Sequence, residues 1–333
     1  MRPLISLYSL VQNETIKILM KRRFLVVILI LATLIPLITY GQLREAESIM
    51  KKAGYSDWRT QTIQRISDLR NRVTSSNAPE EFKKFSYAQI NLSQFYLDNN
   101  VEPNPKSAAN FTRGFIERTS TLFIPLLVII VIADMVSAEH AGGTIKILLS
   151  RPVSRFKVLL SKYIAVILFV SMTILSAGLT AYLVSGLFIG YGGWDYNIIT
   201  GITNNGQQAD FSNAHLLSYA EYTLMQYGFA WFVSLVIGTI TFMVSVLVRS
   251  TAAAMGTMIA LIIVGLILAN LVSSWESLKY LFMVNLGLTN YLSGIPQPIE
   301  GMTLPFSLTV LVFWGIAALI TAFTVFMRKD ILN

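Results

Sequence analysis

Six stretches of the chain, residues 24–43, 119–138, 163–190, 222–248, 250–275 and 301–327, are apolar and near or above the roughly 20 residues that carry a helix across a bilayer. Only the second holds a charge, Asp134, close to its far end. Hydrocarbon offers no partner for backbone N–H and C=O groups, so runs of this length must satisfy them internally, as helices. The expected fold is therefore an all-α polytopic membrane protein with six transmembrane helices. Composition agrees: of 333 residues, 54% are hydrophobic and only 13% charged, too apolar for a soluble domain of this size.

The chain has no cysteine, which excludes a disulfide framework and any thiolate chemistry, and its two histidines leave little material for a metal site. A net charge of +8 would suit nucleic acid in a soluble protein. Here Lys and Arg flank the apolar runs instead, and no basic stripe interleaves with stacking aromatics, so nucleic-acid binding is not expected. The short segments fix an orientation. Arg2, Lys17, Lys21, Arg22 and Arg23 precede the first run, Lys146, Arg151, Arg155, Lys157 and Lys162 lie between the second and third, and Arg249, Arg328 and Lys329 follow the fourth and sixth. Residues 191–221 have no Lys or Arg, and 276–300 have only Lys279. Both termini are thus expected in the cytoplasm, with the tail at 328–333. The insertion 44–118 is highly charged, but a segment longer than about 60 residues escapes the charge rule and is read as extracellular.

Residues 1–23 place Leu4, Leu7, Leu10 and Val11 on one helical face and Gln12, Asn13, Glu14 and Lys17 mostly on the other, as in a helix lying in the membrane interface. The first apolar run starts only at Phe24 and no small-x-small site follows it, so a retained anchor is expected rather than a cleaved signal peptide. Within 44–118, helix-forming stretches to Val73 and from Glu80 to Leu97 are separated by Ser75-Ser76-Asn77-Ala78-Pro79, which predicts two helices and a loop. Trp58, Phe82, Phe85, Tyr87, Phe95 and Tyr96 supply apolar surface for this insertion to bury. It reads either as a solvated helical cap or as a lid that recognises substrate. The Gly- and Asn-rich loop 191–221 is expected to be a simple connector, and 276–300 a half-apolar helical segment too short and polar to span.

The segment 139–162 joins the second and third runs. Gly142 and Gly143 release the preceding helix, Ile145, Leu148 and Leu149 recur at one-face helical spacing, Pro152 ends the turn, and Ser154 is placed to cap the next helix. The pattern Glu-x-x-x-Gly-Thr, then Leu-Leu-Ser, then Arg-Pro-x-Ser-Arg is here Glu139, Gly143, Thr144, Leu148, Leu149, Ser150, Arg151, Pro152, Ser154 and Arg155. It resembles the coupling-helix region of type-2 ATP-binding-cassette permeases. The resemblance implies a permease subunit of an exporter in the cytoplasmic membrane of a bacterial cell, working as two permease chains, identical or related, above two ABC ATPase subunits. ATP and magnesium would sit on those partners, with no cofactor in this chain. Glu139, Gly143, Thr144, Ile145, Leu148, Leu149, Arg151, Pro152 and Arg155 would form the ATPase-coupling elbow, and Glu14 and Lys17 of the N-terminal helix a further ATPase contact. Re-entrant or interfacial helices are implied in 276–300. The implied cargo is an amphiphile such as a drug, a peptide antibiotic or an envelope component, moved by alternating access.

No Gly-x-x-x-x-Gly-Lys-Ser/Thr loop occurs, so ATP hydrolysis must come from another polypeptide, and neither His-Glu-x-x-His nor Gly-x-Ser-x-Gly appears. The chain is accordingly expected not to be an enzyme. Asp134, an intramembrane charge, is a functional candidate by type, but its position five residues before Glu139 lets it reach the headgroup region or pair with a base such as Lys157. Two other classes remain open: an ion-coupled secondary transporter, which needs buried charge and discontinuous helices, and a receptor or scaffold that uses the insertion to bind.

Overall fold

The computed structural model describes residues 2–53, 57–74, 80–143, 153–204, 209–271 and 275–328. The chain is a helical multi-pass membrane protein: among the described residues six helical segments are long and apolar enough to cross a bilayer, the second of them, Phe123–Ala141, made of two successive helices. The helix α1 (Arg2–Met20) is followed by α2 (Arg23–Ala53), which carries the first span and continues past the expected end at Leu43. The insertion then forms α3 (Trp58–Val73), α4 (Glu80–Asp98) and α5 (Ala108–Thr119). Next come α6 (Phe123–Ile132), α7 (Ser137–Ala141), α8 (Arg155–Ile189), α9 (Tyr219–Leu247), α10 (Thr251–Leu271) and α11 (Leu304–Arg328).

The bundle is organised around α9. Its span is 72% buried, against 22% for the spans of α2 and α10, so α9 forms the core while α2 and α10 turn apolar faces outward. Small and polar side chains allow that burial. A Cβ on Gly238 would lie 2.9 Å from Ile132 Cδ1, so the Ile132 side chain of α6 packs directly on the backbone of α9 there. Trp231 Nε1 donates to Ser171 Oγ at 2.9 Å, and the Tyr163 and Thr239 hydroxyls meet at 3.1 Å, locking α8 to α9 by hydrogen bonds suited to a lipid-excluded interface. The N-terminus of α9 is fixed by a capping box between Ser218 and Glu221.

Several local outcomes differ from what the sequence predicts, and the insertion forms a third helix, α5, beyond the two expected. The second apolar run, 119–138, is not one helix: α6 stops at Ile132, a turn occupies 133–136, and α7 resumes at Ser137. The loop 191–221 is a folded element rather than a plain connector. Its strands β1 (Asn197–Thr200) and β4 (His215–Ser218) pair antiparallel from Asn197↔Ser218 to Thr200↔His215, and β2 (Thr203–Asn204) pairs β3 (Ala209–Asp210) at the tip. Ile198 and Ile199 of β1 pack with Tyr96, Ala109, Tyr219 and Tyr222, which ties the insertion to α9. The segment 276–300 forms three short 3-10 turns, Glu276–Tyr280, Phe282–Val284 and Leu288–Tyr291, whose Phe282, Met283, Val284 and Leu288 are buried against the bundle. In the insertion, Tyr96 is buried and Phe95 stacks on Phe211 with ring centroids 4.3 Å apart. Phe82, Phe85 and Tyr87 instead stay exposed, because α3 and α4 bury other faces against each other, including Ile66 and Ala88.

A buried charge cluster as the candidate functional site

At the end of the bundle opposite the insertion, α1 crosses beneath α6 to α8 and brings a set of charges into the interior. The crossing depends on a tight turn at Lys21–Arg22, where Arg22 takes φ 58, a left-handed conformation uncommon for a residue with a side chain. On α1 the inward face carries Glu14 and Ile18, one turn apart and each 5% exposed. Helical spacing alone puts Glu14 on the polar face of α1; the structure turns its carboxylate inward, because a buried cation waits there.

That cation is Lys162, 0% exposed. Its Nζ donates to Glu14 Oε2 at 2.8 Å, to Glu139 Oε1 at 2.8 Å and to the Met135 carbonyl at 3.2 Å, so all three ammonium protons are used. Lys17, at the rim, donates to Glu14 Oε1 at 2.8 Å and Glu139 Oε1 at 3.1 Å. Two carboxylates and two ammonium groups thus form one neutral cluster drawn from α1, α7 and α8. Burial alone would raise the Glu14 carboxyl; the facing Lys162 and Lys17 overcome it and hold the group below its ordinary 4.5. Burial would likewise lower Lys17, but Glu14 and Glu139 keep it above its ordinary 10.5.

Asp134, 2% exposed, has its own partners. Lys21 Nζ lies 2.9 Å and Arg23 Nε 3.2 Å from Oδ2, both supplied by the α1–α2 turn. Lys157, the base suggested by sequence proximity, does not fill that role, since the turn places Lys21 and Arg23 directly under α6. Arg23 Nη1 also donates to the Ile130 carbonyl at 2.9 Å.

These contacts explain how the second span can break in a membrane. Interrupting a helix frees backbone groups that lipid cannot satisfy, so protein must. Ser245 Oγ accepts from the Val136 and Ser137 backbone N–H groups at 3.1 and 3.0 Å, Lys162 takes the Met135 carbonyl, and Arg23 takes that of Ile130. Ser137 Oγ donates back to the Ala133 carbonyl at 2.7 Å and meets Thr251 Oγ1 at 3.0 Å. The short helix α7 is therefore pinned to α9 and α10.

The elbow begins where α7 ends. Gly143 has φ 67 and its N–H reaches the His140 carbonyl at 3.2 Å, the left-handed stop that Gly142-Gly143 suggested. Thr144, Ile145, Leu148, Leu149, Ser150, Arg151 and Pro152 lie outside the described residues. On the far side Ser154 caps α8 by accepting from the Lys157 N–H at 3.4 Å, and Arg155 Nη1 reaches the Met327 carbonyl at 3.2 Å. Glu139 and Lys162 stand on the two sides of this segment, and their 2.8 Å contact closes its neck. Glu139 is thus a brace within its own chain.

Lys162 was missed as a site residue because it sits in a basic stretch that reads as a topology signal. The trace was present all the same: Val158, Lys162, Ala165 and Phe169 follow one-face helical spacing, which puts a lysine in the middle of an apolar stripe.

Two relatives come from Bacillus subtilis (strain 168). The chain is 28% identical over 281 residues to "Uncharacterized protein YhcI", covering 84% of this chain and 86% of the relative. It is 29% identical over 222 residues to "Uncharacterized membrane protein YdbK", covering 66% of this chain and 82% of the relative. A family model described as "Protein of unknown function (DUF2705)" matches residues 81–332, a stretch that holds the broken span, the elbow and Lys162, and the chain belongs to that family.

Proposed function

We propose that this chain is the membrane-spanning permease subunit of an ATP-driven exporter, with the cluster end in the cytoplasm, the insertion outside, and a separate ATPase docking on the elbow at 144–152. The observation that carries the reading is the closed neck: Glu139 at the foot of the second span and Lys162 at the start of the third share one ion pair, and Glu14 of the N-terminal helix binds the same ammonium. A push on the intervening segment would then act on three elements together. The elbow's resemblance to type-2 ATP-binding-cassette permeases supports the same reading, as does the lack of any phosphate loop in the chain. The outward apolar faces of α2 and α10 are available to lipid and to a second permease chain. An amphiphilic cargo moved by alternating access fits a six-span subunit of this kind.

One feature favours an ion-coupled carrier: a discontinuous second span beside buried charge. Against it, the break lies at the end of the span and its charges are neutralised within the chain.

The test is to purify the tagged chain from its native membrane in mild detergent and expose it to a photoreactive ATP analogue. The exporter reading expects a labelled companion polypeptide in stoichiometric amount and no label on the chain itself. Transport that survives ATP depletion but stops when the proton gradient is dissipated would overturn it in favour of ion coupling.

A further inference from the structure

At the insertion end, α3, α4, α5, strand β1, the first turn of α9 and the 3-10 turn Leu288–Tyr291 surround a cleft of about 1060 Å³. That volume sits at the top of the roughly 300–1,000 Å³ typical of small-molecule sites, so it has room for an oligomeric ligand.

Its deep wall is built. Arg113 is 8% exposed and held in place: Nη1 donates to Glu117 Oε2 at 2.9 Å, Nε and Nη2 reach Asn110 Oδ1 at 3.2 and 2.9 Å, and Nη2 reaches Asn104 Oδ1 at 3.4 Å. Beside it lies Tyr222, 0% exposed, whose hydroxyl has no hydrogen-bond partner among the described residues although the residue lines the cleft. One helical turn further in, Gln226 is also 0% exposed, and both atoms of its amide are without partners. Buried polar groups are nearly always hydrogen-bonded, and two unsatisfied ones stacked behind a cleft point to a polar group delivered from it.

The rim sets the ligand's chemistry. Arg65, Arg72 and Arg118 face the cleft together with Asp68 and Glu102, and none of these five is in an ion pair among the described residues. Arg65 donates to Gln89 and Asp68 accepts from Gln64, so carboxamides stand between charges of both signs. A surface with unpaired cations, unpaired anions and amides complements a chain of amides that carries both charges. A sugar would need an open aromatic platform, and the Arg59 guanidinium already lies 4.8 Å from the centroid of the Trp58 ring.

We propose that this cleft binds a short zwitterionic peptide, one end of which reaches the Tyr222 hydroxyl beside the Arg113–Glu117 pair. The site stands independently of how transport is powered.

The test uses the full chain in lipid nanodiscs with three probes: a randomised tetrapeptide pool with free termini, the same pool acetylated and amidated, and a neutral tetrasaccharide. Retention measured by mass spectrometry should favour the free-ended pool. Tyr222→Phe should weaken it by about tenfold, the loss of one hydrogen bond, while thermal stability is unchanged or higher because the hydroxyl has no partner in the chain. The rim variant Asp68→Asn should also lower retention without loss of fold. Retention of the tetrasaccharide in place of the peptides, no retention of any probe, equal retention by Tyr222→Phe, or a lowered thermal midpoint in that variant would each overturn the proposal.

Discussion

Lys162 and Glu14 are 148 positions apart in the chain, yet Nζ and Oε2 meet at 2.8 Å in a site closed to solvent. A buried ion pair contributes little net stability compared with well-packed apolar side chains, but removing one partner strands the other. Lys162→Met should leave the Glu14 and Glu139 carboxylates with only the rim Lys17 between them and destabilise the protein by about 3–5 kcal/mol. Glu14→Gln combined with Lys162→Met should cost less than the sum of the two single changes. Thermal midpoints of the purified variants in detergent measure both effects, and strict additivity would show that the pair is not coupled.

Glu14 and Lys17 set the pH range over which α1 stays docked. A carboxyl held below its ordinary value contributes stability above 4.5 that is lost as pH falls through its lowered value. An ammonium held above its ordinary value contributes below 10.5, and that contribution is lost as pH rises through its raised value. Docking should therefore be flat across neutral pH and loosen only in acid below 4.5 or in base above 10.5. Because the chain lacks cysteine, a single nitroxide at Leu19→Cys reports this directly. Its spectrum should sharpen only outside that window, and a transition near pH 6–7 would point to a different titrating group.

Two serines on α9 provide a matched comparison, since Ser234 and Ser245 are both 0% exposed. Ser245 Oγ accepts two backbone N–H groups at the break in the second span, whereas Ser234 Oγ has no partner among the described residues. Ser245→Ala should cost about 1–3 kcal/mol by leaving donors unsatisfied, and Ser234→Ala should be neutral or stabilising. Equal thermal midpoints for the two variants would contradict the capping role.

Gly143→Ala meets no atom within 4 Å of the added Cβ, so any effect comes from φ 67 itself. The expected cost is about 1–2 kcal/mol at the start of the elbow, and Gly143→Asn should cost less, because asparagine tolerates that conformation. If the proposed exporter function holds, transport should fall more than the thermal midpoint, since the strain falls on the elbow rather than on the core.

Much of this architecture is legible along the chain. Apolar length alone locates the six spans, and Ser75-Ser76-Asn77-Ala78-Pro79 separates the insertion helices α3 and α4. What escapes is tertiary in origin. The run 119–138 looks continuous because no Gly or Pro marks 133–136 and Asp134 reads only as a charge near its far end; the break is tolerated only where Ser245, Lys162 and Arg23 take the freed backbone groups. Strand β1 has adjacent rather than alternating isoleucines, Ile198 and Ile199, so period-two patterning is absent. Glu14 reads as a polar-face residue until a lysine far along the chain is placed against it. Glu139 and Asp134 were identifiable as charges at the end of a span, but their partners come from α1, α8 and the α1–α2 turn, separations that local spacing does not encode.

The proposed exporter function rests on a separate ATPase that grips the elbow, and the double variant Leu148→Ala, Leu149→Ala probes that contact. Truncating apolar anchors at an interface can cost about 2 kcal/mol or more each, so the companion ATPase should be lost on purification, or its hydrolysis should no longer follow transport. Membrane level and thermal stability should stay near those of the parent, and Arg155→Ala should do less. A double variant that keeps its ATPase and transports like the parent would rule out the elbow as the docking site.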